Sequence, residues 1–120
     1  MEFLDALEML KIDSEVLFRR FSGNKSLAER FIRKFRDEKT FMELKKAYEA
    51  YQKGEDTKTV MELQAHTLKG VAANLEFIEL YKACTKMVDH LREKRTDTID
   101  ENYAAVETEY MKLINVLKEL

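Results

Sequence analysis

An apolar residue returns every three or four positions in the stretch Ile78-Glu-Leu-Tyr-Lys-Ala-Cys-Thr-Lys-Met-Val-Asp-His-Leu91. This period places the apolar side chains on one face of an α-helix, whereas a half-buried strand would alternate apolar and polar residues. The apolar face comprises Ile78, Leu80, Ala83, Cys84, Met87, Val88 and Leu91. The stretch therefore predicts an amphipathic helix that packs on a core.

The same helical period extends over the rest of the chain, and short polar breaks separate the periodic segments. The clearest breaks are Ser22-Gly23-Asn24, the charged patch Asp37-Glu38-Lys39 and Gly54. Gly suits the left-handed position after a helix, and Asn, Asp or Thr suits the N-cap of the next. Thr98-Ile-Asp-Glu101 matches a capping box. The remaining predicted helices begin near Phe3, at Asp13 or Ser14, at residue 25, before Phe41, at Asp56 or Thr57, and after Thr98.

The composition favours a helical protein with one core. The chain has 120 residues, no Pro and only three Gly, and 45% of its residues are hydrophobic. A loop-rich or all-β protein needs turn residues that this composition does not provide. We therefore predict one all-α domain over residues 1–120, folded as an antiparallel four-helix bundle with additional short N-terminal helices.

The helical period also predicts which side chains are buried. In the helix that begins at residue 25 they are Leu27, Phe31, Ile32 and Phe35. Because Met adapts to irregular gaps, most methionines are predicted to fill the core. These are Met9, Met42, Met61, Met87 and Met111. Cys84 lies on the apolar face of its helix and is predicted to be a buried, unreactive thiol.

The charge balance excludes several classes of partner. The chain carries 21 basic and 23 acidic residues, which gives a net charge of -2. This charge provides no field to attract nucleic acid or an anionic membrane. No stretch of 18 apolar residues occurs, and the N-terminus lacks the pattern of a signal peptide. We expect a cytoplasmic monomer.

His66 lies on the solvent side of the helix predicted for residues 57–75. At about 100° per residue, Met61, Leu68, Val71 and Leu75 fall within about 40° of the pole opposite to His66. The core is therefore expected directly behind the imidazole, which points outward. A neutral imidazole nitrogen is a competent nucleophile near pH 7.

The residues that share the outward stripe with His66 suit phosphoryl transfer. Lys69, at i+3, can neutralise a phosphoryl group on His66. Gly70 costs about 1 kcal/mol relative to Ala inside a helix, so its presence indicates close approach of another molecule. Glu62 and Ala73 are expected to join Gly70 in contacting the partner. The pattern is that of a phosphorylatable histidine on a docking face.

Metal chemistry fits the sequence less well. Glu62 and His66 are four residues apart, whereas a di-iron bundle needs Glu-x-x-His pairs. Two histidines are also too few for the usual His/Cys zinc site. His90 lies beside Met87 and Leu91 but off their stripe, with no ligand cluster around it, and is expected to have no functional role. We expect no cofactor and no metal in this chain.

Residues 65–75 closely resemble a known family signature. Ala65-His66-Thr67-Leu68-Lys69-Gly70-Val71-Ala72-Ala73-Asn74-Leu75 is similar to A-H-x-L-K-G-x-x-x-x-[LIV], the signature of histidine-containing phosphotransfer (HPt) domains. Arg20-Phe21-Ser22-Gly23-Asn24 resembles the Arg-Phe-x-Gly-Asn/Asp turn that often precedes a helix in that family. The helical order and length are also similar to the family, so the resemblance covers most of the chain.

The resemblance implies a carrier in a phosphorelay. His66 would accept a phosphoryl group from the aspartate of a response-regulator receiver domain, or from a histidine kinase or hybrid kinase, and pass it to another receiver. Lys69 would steady the phosphoryl group, and Gly70 would admit the partner. Such domains bind no ATP, and the partner receiver supplies the acidic residues and Mg²⁺.

One position departs from the family pattern. The family usually has Gly ten residues after the histidine, where this chain has Glu76. If the helix ends there in the left-handed conformation, Glu costs roughly 1–2 kcal/mol more than Gly. Asn74 or a longer helix would remove the problem. Glu76 is also the one hint of an alternative function, a phosphorylation-independent adaptor that docks receiver domains.

Overall fold

The computed structural model describes all residues 1–120 and contains helices but no strands. Four longer helices form the predicted antiparallel bundle, in which α4 packs on α5, α5 on α6, and α6 on α7. Three shorter helices and a 3₁₀ turn (Phe35–Asp37) precede it. The helices are α1 (Phe3–Met9), α2 (Ser14–Arg20), α3 (Lys25–Lys34), α4 (Thr40–Gln52), α5 (Lys58–Asn74), α6 (Ile78–Arg92) and α7 (Ile99–Leu117). The predicted fold class is confirmed.

Local side-chain contacts explain where several helices begin. The Asp13 carboxylate accepts hydrogen bonds from the backbone N–H groups of Glu15 and Val16 at the start of α2. Asn24 accepts one from Leu27 N–H at the start of α3. Before α4, Glu38 accepts hydrogen bonds from both the N–H and the hydroxyl of Thr40. These contacts satisfy N–H groups that the first helical turn leaves unpaired.

In five helices the first residue after the C-cap is in the left-handed conformation, and Gly occupies this position only after α4. Gly54 follows α4 with φ of 98°, as predicted. Gly23 has φ of 79°, but it is the second residue after the cap of α2, and Ser22 with φ of 54° takes the position predicted for Gly23. Lys11, Glu76 and Lys94 occupy the same position after α1, α5 and α6. Glu76 is thus one of four such residues that carry a Cβ.

One hydrophobic core runs through the bundle and reaches the N-terminal helices. Leu7 of α1 and Leu17 of α2 are buried in it, and Ile32 and Phe35 connect α3 and the 3₁₀ turn to it. The Phe35 ring meets the Phe77 ring edge-on, with centroids 4.9 Å apart. Such an aromatic pair contributes about 0.5–1.5 kcal/mol beyond its buried area. The short N-terminal helices are therefore held by the same core as the bundle.

Stacked aromatic rings join α4 to α7. Tyr48 stacks on Tyr103 with centroids 3.9 Å apart, and Phe41 stacks on Tyr110 at 4.0 Å. The Tyr48 hydroxyl donates a hydrogen bond to Asp100. Burial, together with this carboxylate, raises the pKa of Tyr48 to about 12. These contacts join α4 to α7 and so close the bundle. Because α5 packs on α4 and α6, it lies diagonally across the bundle from α7.

Several side chains that the sequence predicts to be buried are exposed. Phe31 is 44% exposed and lies outside the core, whereas Ile32 and Phe35 are buried as predicted. Met61 and Met87 are buried, but the prediction was wrong for Met9, Met42 and Met111. Ile78, the first residue of α6, is exposed as well. The period identifies the apolar face of a helix but not the length over which another element covers that face.

None of the helices is long and apolar enough to cross a lipid bilayer.

Candidate functional site

Helix α5 presents His66 to solvent. Its buried face consists of Met61, Ala65, Leu68 and Ala72, all with no exposed surface. His66 lies on the opposite face and is exposed, as the helical wheel predicts. All hydrogen bonds of the chain that involve an imidazole belong to His90. Both ring nitrogens of His66 are therefore without a hydrogen-bond partner within the chain.

Lys69 lies on the side of α5 that faces α6. Its Nζ is 5.7 Å from the centroid of the Tyr81 ring. None of the ion pairs in the structure includes Lys69. A cation–π contact of this kind is worth only about 0.5–1 kcal/mol at an exposed site. The Lys69 ammonium is thus held near α6 by a weak contact, and no carboxylate of the chain is paired with it.

Cys84 lies beneath Lys69 in the core and has no exposed surface. Burial raises the pKa of its thiol to about 12, and the Lys69 charge opposes this shift without cancelling it. A thiol with such a pKa is protonated near neutral pH and is a poor nucleophile. The predicted burial of Cys84 is confirmed, and its raised pKa is consistent with the unreactive thiol that the sequence predicts.

Gly70 has no structural requirement for its missing side chain. Its φ is in the ordinary helical range, and a Cβ built at this position meets no atom within 4 Å. A glycine retained for close packing would show a neighbour at that distance. Gly70 is exposed, and Ala73, one turn further along α5, is half-buried. Neither residue has a side chain beyond Cβ, so neither obstructs access to His66.

Glu62 is engaged by a residue of the neighbouring helix. Its Oε2 accepts a hydrogen bond from Arg92 Nε of α6 at 3.3 Å. Exposed pairs of this type contribute about 0–1 kcal/mol to stability. Glu62 lies one turn before His66, so the Arg92 guanidinium partly offsets a negative charge close to the imidazole. Glu62, which the sequence predicts to contact a partner protein, is therefore paired with Arg92 in the free protein.

A family model described as the Hpt domain matches residues 26–119. The chain belongs to the HPt domain family. No curated protein and no solved structure matches it. HPt domains are helical bundles that carry phosphoryl groups in phosphorelays and interact with receiver domains and kinases. The match begins within α3, so α1 and α2 of this HPt domain lie outside it.

Glu76 ends the histidine-bearing helix of this HPt domain in the left-handed conformation. Its φ is 60°, so the expectation that Asn74 or a longer helix would avoid this conformation is wrong. Phe77 N–H donates to the Ala72 carbonyl at 2.9 Å, and Glu76 N–H to the Ala73 carbonyl at 3.3 Å. This pair of bonds is a Schellman motif, which normally has Gly at the position of Glu76.

An ion pair explains why Glu76 is tolerated there. Arg20, at the end of α2, donates a hydrogen bond from Nε to the Glu76 carboxylate. The Glu76 side chain is 9% exposed and the Arg20 side chain 45%. The charge-assisted bond compensates for burial of the carboxylate and connects α2 to the end of α5. This HPt domain thus replaces a glycine with a contact to a segment outside the family match.

His90 is a structural residue in the last turn of α6, where it contacts the start of α7. Its Nδ1 lies 2.9 Å from both Thr98 Oγ1 and Asn102 Nδ2. Thr98 is the N-cap of α7, as predicted, but its side chain makes no capping bond, so the predicted capping box is wrong. The Thr98 hydroxyl faces His90 and the 3%-exposed Asn102 instead. His90 satisfies this buried amide and does not lie near His66 in sequence or on the same helix.

The sequence analysis did not predict the contacts of three residues beside the site. Tyr81 and Arg92 contact Lys69 and Glu62 from α6, and Arg20 contacts Glu76 from α2. Only the contact of Arg20 had an indirect signal in the sequence, because Glu76 stands where the family usually has Gly and requires a compensating contact. Tyr81 and Arg92 become neighbours of the site only when α6 packs antiparallel to α5.

Proposed function

We propose that the protein is a phosphorelay carrier in which His66 is the phosphoacceptor. It accepts the phosphoryl group from a receiver-domain aspartate or a histidine kinase and passes it to a response-regulator receiver. In the first step the lone pair of an imidazole nitrogen forms the N–P bond. The P–O bond to the donor aspartate breaks, and the carboxylate leaves with the electron pair. The reverse step loads the next receiver.

The observation that carries this proposal is an exposed imidazole, without a hydrogen bond to the rest of the chain, within the HPt signature. The core behind it fixes the helix, so the nucleophile is presented without movement of the backbone. Lys69 lies one turn away with no competing carboxylate, which leaves it able to neutralise the phosphoryl oxygens. Gly70 and Ala73 leave room for the active site of the partner.

We propose that the Mg²⁺ needed for transfer is supplied by the receiver. Mg²⁺ prefers several oxygen ligands, usually carboxylates and phosphate. Glu62 is the only carboxylate on the His66 stripe, and Arg92 already engages it. The chain is thus a co-substrate whose partner contributes the metal-dependent catalysis. A single buried cysteine without a disulfide partner suits the reducing cytoplasm. We propose that the protein acts there as a monomer.

The alternative, an adaptor that docks receivers without accepting phosphate, rested on Glu76. Its ion pair with Arg20 gives Glu76 a structural explanation. Glu76 also lies ten residues beyond His66, about 15 Å along the helix direction at 1.5 Å per residue. Glu76 therefore no longer favours the adaptor.

Transfer from a receiver distinguishes these two functions. A receiver domain phosphorylated on its aspartate is mixed with the protein, and the phosphate bound to each protein is followed with time. The carrier acquires a phosphate that is labile in acid and stable in base, as expected for an N–P bond. A cognate receiver that binds the protein but never labels it would support the adaptor and contradict the carrier.

Lys69→Ala is expected to slow transfer to His66 by about tenfold to a hundredfold, because one charge-assisted contact to the phosphoryl group is lost. The lifetime of the phosphohistidine is expected to shorten as well. The matched control is Lys82→Ala, an exposed lysine of α6 that pairs with Glu79. Far-UV circular dichroism of both variants should equal that of the wild type. Equal transfer rates for Lys69→Ala and Lys82→Ala would remove the role of Lys69.

Gly70→Gln is expected to stabilise the free protein yet impair transfer. Gln has the higher helix propensity by about 0.5–1 kcal/mol, and the added side chain meets nothing in the free protein. In the complex the same side chain would occupy space needed by the partner. Gly70→Ala is the graded control, with a smaller loss of rate. If Gly70→Gln transferred phosphate as fast as the wild type, the clearance argument would be wrong.

A further inference from the structure

The Lys69 side chain is directed towards α6 in the free protein. Its Nζ lies 5.7 Å from the centroid of the Tyr81 ring, and Lys69 is half-buried. Burial raises the pKa of the Cys84 thiol in α6 to about 12, and the nearby Lys69 charge opposes that shift. The Lys69 ammonium therefore lies over α6, although its backbone is only one turn from His66 on α5.

The Tyr81 ring is anchored, whereas the Lys69 side chain is not. Tyr81 is half-buried and packs against the hydrophobic core. It lies on α6, and α5 and α6 share the most extensive contact of any two helices. Lysine has a flexible stem of four carbons. The ammonium is therefore the partner that can move when the contact between the two residues breaks.

An aromatic ring can hold a cation without neutralising its charge. The ring attracts the ammonium through its quadrupole and has no net charge of its own. A carboxylate would neutralise the ammonium and compete with a phosphoryl group, and Glu79 is paired with Lys82 in this way. No ion pair of the structure includes Lys69. The positive charge of Lys69 is therefore held in place and remains uncompensated.

A phosphoryl group on His66 would offer Lys69 a stronger partner than the ring. Charge-assisted hydrogen bonds from an ammonium to phosphoryl oxygens are about twice as strong as neutral hydrogen bonds. A cation–π contact at an exposed site is weaker than such a bond. Side chains three residues apart on a helix are neighbours, so Lys69 can reach a group attached to His66. The ammonium can therefore leave the ring when the N–P bond forms.

We propose that Tyr81 is a positioning residue that holds the Lys69 ammonium in the unphosphorylated protein and releases it to the phosphoryl group on His66. This inference rests on the proposed function. Because the contact with Tyr81 is lost when Lys69 turns to the phosphoryl group, Tyr81 stabilises the unphosphorylated protein relative to the phosphorylated one. Loss of one cation–π contact changes an equilibrium constant about twofold to fivefold. Tyr81 thus favours onward transfer of the phosphoryl group to a receiver.

Substitutions at Tyr81 test the proposal through the equilibrium of phosphoryl exchange. The probe is the phosphorylated receiver that labels the wild type fastest in a panel from the same organism. Tyr81→Leu should raise the equilibrium constant for phosphorylation of this protein about twofold to fivefold. Tyr81→Phe keeps the ring and should restore the wild-type value. Tyr51→Leu is the matched control, because Tyr51 is also half-buried but has no cation over its ring.

A double variant decides whether Tyr81 acts through Lys69. In Lys69→Ala there is no ammonium for the ring to hold, so the addition of Tyr81→Leu should leave the exchange equilibrium of Lys69→Ala unchanged. A packing role of Tyr81 would instead give the same change with or without Lys69. Thermal unfolding checks the fold of each variant. If Tyr81→Leu does not fold, Tyr81→Met takes its place, because the flexible Met side chain adapts to the space that the ring leaves.

The position of the Lys69 side chain has a signature in nuclear magnetic resonance spectra. Protons on Lys69 Cε that lie over the Tyr81 ring are shifted upfield by its ring current, whereas Lys112 has no ring contact and is the reference. We expect the upfield shift in the wild type and in Tyr81→Phe, and its loss in Tyr81→Leu. Phosphoramidate, which transfers its phosphoryl group to an imidazole nitrogen and releases ammonia, then phosphorylates His66 without a receiver. The Lys69 protons of the wild type should move towards the Lys112 position when it does.

The outcomes separate this inference from the proposed function. Equal exchange equilibria for Tyr81→Leu and Tyr81→Phe, or an effect of Tyr81→Leu that persists in Lys69→Ala, would overturn the role of Tyr81 and leave the carrier function intact. An upfield shift of the Lys69 protons that remains after phosphorylation would do the same. Absence of phosphate on the wild type with every receiver and with phosphoramidate would instead overturn the carrier function, and the role of Tyr81 with it.

Discussion

Replacing His66 with Gln is expected to abolish phosphorylation of the protein while leaving its fold intact. The amide of Gln has no nucleophilic lone pair, so no N–P bond forms. His66 is exposed and makes no hydrogen bond within the chain. Exposed substitutions of this kind change the free energy of unfolding by about 0.5 kcal/mol or less. Phosphate transfer from a receiver and urea denaturation measure the two effects.

His90→Gln is the matched control, because it makes the same change at the other histidine. His90 bridges Thr98 and the buried Asn102, so its replacement should lower the free energy of unfolding by about 1 kcal/mol. Transfer should remain at the wild-type rate. The two variants therefore have opposite profiles, one losing activity and the other stability. Label retained on folded His66→Gln, or absent from folded His90→Gln, would contradict the assignment of the phosphoacceptor.

Arg20→Ala is expected to destabilise the protein by about 2–3 kcal/mol, the largest effect on stability among the substitutions considered. The substitution leaves the Glu76 carboxylate, in a residue that is 8% exposed, without a partner. Glu76→Gly should differ from the wild type by no more than about 1 kcal/mol, since relief of the left-handed conformation offsets loss of the ion pair. In Glu76→Gly the Arg20 guanidinium loses its partner, but Arg20 is half-exposed, so water solvates its charge.

The double variant Arg20→Ala/Glu76→Gly decides whether the two residues act together. We expect it to be about as stable as Glu76→Gly, which gives a coupling energy of about 2 kcal/mol in a double-mutant cycle. Arg92→Ala is the control, because the Arg92–Glu62 pair is exposed on both sides and should contribute less than about 1 kcal/mol. Urea denaturation followed at 222 nm measures all four variants. If Arg20→Ala were no less stable than Arg92→Ala, the ion pair would not explain Glu76.

Helix positions could be predicted because their causes are local. Asp13 and Asn24 cap helices with their own side chains, and Gly54 adopts a conformation that its neighbours in sequence require. The helical period then identified the buried face of α5, and with it the exposure of His66. These features depend on a few consecutive residues, so the amino-acid sequence contains the necessary information.

Features that depend on packing between distant segments could not be predicted. Phe31 lies on an apolar stripe, but no element covers that part of α3. Thr98 and Glu101 fit a capping box, yet the hydroxyl of Thr98 faces His90, a contact that forms only when α6 and α7 meet. Arg20 and Glu76 are 56 residues apart in sequence. Residue type and spacing do not specify such partners.

The stacked tyrosines between α4 and α7 make the protein a convenient subject for spectroscopy. The chain has no Trp and five Tyr, and Tyr48, Tyr103 and Tyr110 lie in the stacks on the side of the bundle opposite α5. Their near-ultraviolet circular dichroism reports side-chain packing at a distance from the imidazole. A tryptophan in a receiver would fluoresce without a competing signal, so docking and folding can be observed separately in one unlabelled sample.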